Sequence, residues 1–193
     1  MTISLGKKEI IHFVGIGGIG MSGLALIMKD LGFNVKGSDQ QSGKNIERLK
    51  KNKISVQIGH KQKNLSSATI VVISSAIKKN NPELLEAKRK NLPIITRGKM
   101  LAHIVSLMKN IVVAGSHGKT TTTSLVASIF QKTKLDPTII NGGVINSFKS
   151  NAKLGKGEWA ILEADESDGS FLKLPTNYSI VTNIDFEHID FYK

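Results

Sequence analysis

The chain has no cysteine, which excludes disulfide staples and thiolate metal or redox sites. Aromatic residues are scarce at 5%, so few rings interleave with its lysines to form a base-stacking platform for nucleic acid. No apolar run approaches the roughly 18 residues of a membrane span. Glycines and charges interrupt the N-terminal MTISLGKKEIIHFVGIGGIG too often for a signal peptide. These absences lead to the expectation of a soluble cytoplasmic protein with no membrane partner.

Acidic side chains are few as well, at 15 against 27 Lys and Arg, for a net charge of +12. The imbalance is local. Residues 1–100 carry 18 basic and 6 acidic groups, whereas residues 101–193 carry 9 of each. A basic half is compatible with a polyanionic partner. Here, though, the lysines scatter over turns and polar helix faces, as solvated charge does, and no nucleic-acid partner is expected. The asymmetry instead marks a boundary. A length of 193 residues suits one large domain or two small ones, and the charge pattern favours two, 1–100 and 101–193.

Apolar periodicity alternates between strand and helix. Strands are expected at 9–15, 33–37, 55–58, 69–74 and 93–96, with helices at 21–31 and 45–52 and another starting at Pro82. Gly32 is placed to cap the first helix. The pattern restarts with a strand at 110–114 and a helix at 119–132, on which Leu125, Val126, Ile129 and Phe130 are expected to face inward. Strands follow at 138–141, 159–164 and 178–183, the last two as buried strands, and 144–157 reads as a loop. Alternation of this kind predicts parallel βαβ units, hence an α/β fold: a Rossmann-like doubly wound sheet followed by a P-loop-type domain.

Four motifs carry chemistry. Gly15-Ile16-Gly17-Gly18-Ile19-Gly20 is a GxGxxG between strand and helix, where glycines permit a tight turn and close approach of a diphosphate to the helix N-terminus. Asp39 follows at the spacing of a ribose partner. Alone, this motif suggests NAD. Gly115-Ser116-His117-Gly118-Lys119-Thr120 is a shortened phosphate loop, with Val113 where a full P-loop has glycine. Its backbone amides would wrap phosphates, Lys119 would neutralise them and Thr120 would hold Mg²⁺. Glu163, Asp165, Glu166 and Asp168 cluster at a strand end, where a P-loop protein places its Mg²⁺ ligand. Asn183-Ile184-Asp185-Phe186-Glu187-His188 ends another strand, and its lone histidine reads as structural, as do His12, His60 and His103.

Taken together, HFVGIGGIGMSGLA, GSD at 37–39, SSAI at 74–77, AGSHGKTTTTSLV, NGG at 141–143, EADESDGSF and VTNIDFEH resemble the Mur ligases from about residue 10 to the end. Within that family the closest resemblance is to the branch that joins L-alanine to UDP-N-acetylmuramate. The resemblance implies that the first domain binds a UDP-sugar through Gly15, Gly17, Gly18, Gly20 and Asp39, with Ser74 and Ser75 nearby, and not NAD. It further implies that Gly115, Ser116, His117, Gly118, Lys119, Thr120 and Thr121 bind ATP, with Lys119 catalytic. Thr120 and Glu163 would hold one Mg²⁺ and His188 a second. The implied reaction phosphorylates the substrate carboxylate and then lets the alanine amine attack the acyl phosphate. Arg97-Gly98-Lys99 departs from the family pattern of two arginines followed by Ala-Glu. More than half of the family's length is not matched, so a fragment inactive in ligation is expected. The competing classes are an NAD-dependent oxidoreductase, which has no use for a Gly-Lys-Thr loop, and a non-catalytic nucleotide-binding module.

Overall fold

The structure, a computed structural model, describes residues 5–145, 150–164 and 174–185. The chain divides into two compact units, residues 1–100 and 101–193.

The first unit is a five-stranded, wholly parallel sheet of order β3-β2-β1-β4-β5. Along the chain run β1 (Ile10–Val14), α1 (Ile19–Asp30), β2 (Asn34–Asp39), α2 (Lys44–Lys51), β3 (Ser55–Ile58), β4 (Ile70–Ile73), α3 (Pro82–Arg89) and β5 (Ile94–Thr96), with a 3-10 turn at Gln62–Leu65. Central β1 buries Ile11, Phe13 and Val14, and the polar His12 beside them. Parallel strands covered on both faces read as such continuous apolar runs. Helix α1 ends in a Schellman motif, since Gly32 has φ +87° and Phe33 N–H donates to the Met28 carbonyl at 3.0 Å. Helix α3 starts on Asn81, whose side chain accepts from the amides of Glu83 and Leu84, with Pro82 at the first helical position. Gly37 on β2 is needed for close packing: a Cβ there would sit 2.5 Å from the Phe13 carbonyl and within 3 Å of Ile16.

Helix α4 (Arg97–Ser106) spans the division between the units. The second unit comprises β6 (Lys109–Ala114), α5 (Lys119–Gln131), β7 (Thr138–Ile145), β8 (Ser150–Lys153), β9 (Trp159–Glu163) and β10 (Tyr178–Val181), in sheet order β10-β6-β9-β7-β8. All pairings are parallel except β7 with β8.

Three expectations need correction here. The stretch 144–157, expected as a loop, contributes the end of β7 and all of β8, because strand pairing supplies what its weak apolar pattern does not. Strand β10 is largely exposed, because it lies at the sheet edge and, among the described residues, pairs only with β6. On α5 the inward face is Thr123 and Ala127, with Val126 and Phe130 at its flank, while Leu125 and Ile129 are 61% and 65% exposed. Two small residues one turn apart let the helix approach Ile139 and Ile161 closely, and the larger aliphatics are turned away.

Candidate nucleotide sites

In the first unit a cleft of ≈ 520 Å³ opens at the carboxyl ends of β1, β2 and β4, where open α/β sheets bind ligands. Gly15, Gly17, Gly18, Asp39 and Ser74 all border it, whereas Gly20 and Ser75 do not. The loop is folded tightly: Gly15 takes φ +78°, and the Gly15 and Ile16 amides both donate to the Ser38 carbonyl at 2.9 Å. Gly17 N–H donates to Asp39 Oδ2 at 2.8 Å, and Asn45 Nδ2 donates to the Gly17 carbonyl at 2.7 Å. A Cβ on Gly17 would lie 2.9 Å from both Asp39 Oδ2 and Ile46 Cδ1, so any larger residue would have to displace these side-chain ends. Gly20 lies instead beside Arg97, whose Nη1 would be 3.3 Å from a Cβ at that position. Arg97, the one arginine of that atypical segment, is thereby placed at the first turn of α1.

Sequence reasoning missed the polar network behind this cleft. Glu83, with 0% exposure, accepts at Oε2 from His12 Nε2 (3.1 Å) and Ser38 Oγ (2.6 Å). Its Oε1 accepts from Asn64 Nδ2 (2.5 Å) and the Lys61 amide (3.3 Å). Burial pushes the Glu83 carboxyl up, but hydrogen bonds from His12, Ser38 and Asn64 outweigh it and hold the group below the usual carboxylate range. Ser38 Oγ also meets His60 Nδ1 at 3.0 Å, and His60 borders the cleft. The partners come from β1, β2, the 3-10 turn and α3. Separation along the chain hides such a cluster from any motif search.

In the second unit, Gly115 (φ +126°) and Gly118 (φ +79°) shape the loop between β6 and α5. Lys119 Nζ folds back to donate to the carbonyls of Gly115 (2.5 Å) and Ser116 (3.0 Å). Asn183 holds the loop from outside: its carbonyl accepts from Ser116 N–H at 3.2 Å and its Oδ1 from His117 N–H at 2.8 Å. Thr182 Oγ1 donates to the His117 carbonyl at 2.6 Å. The amides of Ser116 and His117 thus serve the loop's own shape. Those of Gly118, Thr120 and Thr121 belong to the first turn of α5. Thr120 Oγ1 lies 3.0 and 3.1 Å from the Glu163 carboxylate oxygens, because Glu163 sits opposite Val113 in the β6–β9 register. Two hard oxygen donors side by side at the start of α5 are of a kind that suits Mg²⁺. Asp165, Glu166, Asp168 and His188 lie outside the described residues.

Residues 10–109 match the Mur ligase family, catalytic domain, and residues 113–193 the Mur ligase middle domain. The chain belongs to the Mur ligase family. Among family members, the UDP-N-acetylmuramate–L-alanine ligase of Pelagibacter ubique is 75% identical over 192 residues, covering 100% of this chain and 41% of that protein. The corresponding ligase of Azorhizobium caulinodans is 56% identical, covering 95% and 39%. The crystal structure of the UDP-N-acetylmuramate–alanine ligase of Thermotoga maritima superposes with a TM-score of 0.88 at 33% identity, covering 95% of this chain and 43% of that one. A UDP-N-acetylmuramate:L-alanyl-γ-D-glutamyl-meso-diaminopimelate ligase from Neisseria reaches 0.87 at 29% identity, covering 96% and 63%. The fold therefore does not separate these two kinds of Mur ligase. This Mur ligase chain spans about two fifths of the length of the curated relatives it matches. Among the described residues, no helix is long and apolar enough to cross a membrane.

Proposed function

We propose that this chain carries the UDP-sugar-binding and ATP-binding parts of an ATP-dependent ligase that joins L-alanine to the carboxylate of UDP-N-acetylmuramate in peptidoglycan precursor synthesis. The observation that carries the proposal is the Thr120–Glu163 contact at the start of α5 within a GSHGKT loop. A dehydrogenase has no need of that arrangement, whereas phosphoryl transfer does.

In this proposal Gly15, Gly17 and Gly18 bring backbone close to the diphosphate, Asp39 takes the ribose, and Ser74 closes the cleft from β4. Lys119 leaves the loop carbonyls to neutralise phosphate charge as its catalytic role, while Gly118 and Thr121 supply backbone amides. Thr120 and Glu163 would hold Mg²⁺, and His188 is assigned to a second ion on motif position. Bound ATP–Mg²⁺ would supply the phosphoryl group that activates the substrate carboxylate for attack by the alanine amine. The chain's own contribution is fixed positive charge and oriented amides, which stabilise charge on the transferring group without reorganising.

Calorimetric titration of the 193-residue chain with UDP-N-acetylmuramate, ATP–Mg²⁺ and NAD⁺ tests this. The first two should bind independently and NAD⁺ should not. Saturable NAD⁺ binding with no heat from the UDP-sugar would overturn the assignment of the first unit.

A further inference from the structure

Two stretches that border the first cleft are tied to one buried side chain that does not border it, Glu83. The glycine loop hangs on Ser38, whose carbonyl accepts from the Gly15 and Ile16 amides at 2.9 Å, and the Ser38 hydroxyl donates to Glu83 Oε2 at 2.6 Å. The other stretch leaves β3 at Gly59 (φ +85°), whose N–H donates to the Asp39 carbonyl at 2.7 Å, and runs through His60 to Asn64. Glu83 Oε1 takes the Asn64 side chain at 2.5 Å and the Lys61 amide at 3.3 Å. Asn64 Nδ2 also donates to the Gly59 carbonyl at 2.9 Å, and Lys36 Nζ to the Asn64 carbonyl at 3.0 Å. With its one proton given to Glu83, Ser38 Oγ accepts from His60 Nδ1 at 3.0 Å, so His60 is held at second hand.

We propose that Glu83 is a positioning residue for ligand binding in the first cleft, holding the glycine loop through Ser38 and the His60 stretch through Lys61 and Asn64. With the cleft assigned to a UDP-sugar, on which this reading rests, Glu83 is the residue that keeps it preformed. All four contacts, including that of His12 Nε2 at 3.1 Å, are donated to Glu83. Only an ionised carboxylate accepts at both oxygens, so no neutral side chain of that shape satisfies the set. Packing alone does not call for a charge here, since apolar side chains of similar volume are often as stabilising as a buried ionic network. What the carboxylate adds is fixed position. Amides already in place for a diphosphate gain affinity, because ordering them on binding costs part of the interaction.

The test is calorimetric titration of the 193-residue chain with UDP-N-acetylmuramate, reading stoichiometry and dissociation constant separately. Misfolded chain lowers the stoichiometry and leaves the dissociation constant of the remainder alone, whereas a displaced loop raises the constant itself. Glu83→Gln turns one acceptor into a donor group and should raise the constant about tenfold, the worth of about one hydrogen bond between loop and ligand. Asn64→Ala leaves the contacts of His12 and Ser38 in place, carries the test if Glu83→Gln does not fold, and should raise it about threefold or more. Combining Glu83→Gln with Asn64→Asp exchanges donor and acceptor across the 2.5 Å contact and keeps the charge of the network. That pair should recover part of the lost affinity, which a role in stability alone would not produce. An unchanged dissociation constant in folded Glu83→Gln, or in Asn64→Ala, overturns the positioning role and leaves the UDP-sugar site standing, as does a double variant with no recovery. No binding by the wild-type chain overturns both.

Discussion

Removing the Glu83 carboxylate should destabilise the first unit far more than a surface Glu→Ala change would. Glu83 has no exposed surface and accepts four hydrogen bonds, two of them from the buried donors His12 Nε2 and Ser38 Oγ. In Glu83→Ala His12 Nε2 is left without a partner away from water, while Ser38 Oγ keeps its contact with His60 Nδ1. That orphan costs about 1–3 kcal/mol. For a unit of about 100 residues this lowers the melting temperature by roughly 4 °C or more. The only tryptophan, Trp159, lies in the second unit, so its fluorescence reports on the wrong half. Far-UV circular dichroism, with calorimetry to resolve separate transitions, is the suitable assay. The pH dependence has a definite sign. The Glu83 carboxyl is held below its ordinary value of 4.5 in the folded state, so the unfolded chain binds more protons between the two values. The stabilisation is complete above about pH 4.5 and disappears as pH falls through the folded-state value. Glu83→Gln should lack this component and show a shallower acid limb than wild type. A loss below about 1 kcal/mol in Glu83→Ala, or identical acid limbs, would refute the account of the network.

Gly17→Val should abolish UDP-sugar binding in calorimetry, because its side chain would occupy the space of Asp39 Oδ2 and Ile46; unchanged affinity would remove Gly17 from the site. Lys119→Ala should weaken ATP–Mg²⁺ by about tenfold or more and leave UDP-sugar affinity alone, and an unaltered ATP affinity would mean the loop is no phosphate cradle. Ile161→Ala should cost about 2–5 kcal/mol in denaturant unfolding, whereas Ile129→Ala should stay within about 0.5 kcal/mol; comparable losses would show the α5 orientation to be wrong.

By itself the sequence determined the parts of this protein that depend on neighbours along the chain. Apolar runs bounded by Gly, Pro and Asn located β1, β3, β4 and β9 to within a residue or two, and Pro82 marked the start of α3, because strand and helix periods are local properties. The two glycine loops were legible for the same reason, since tight turns and helix starts are written in contiguous residues. Only the tertiary structure decided what depends on residues distant in sequence. Which face of α5 turns inward was set by how closely Thr123 and Ala127 allow the helix to approach the sheet, and Leu125 and Ile129 carry no mark of their exposure. β8 exists because β7 pairs with it. Thr182 and Asn183 reach the loop between β6 and α5 across more than sixty positions. Likewise His12, Ser38, His60 and Glu83 share no motif, and the sheet order brings them together. A hydrogen bond is short-ranged in space but indifferent to sequence separation. The network around Glu83 therefore had to be read from the folded chain.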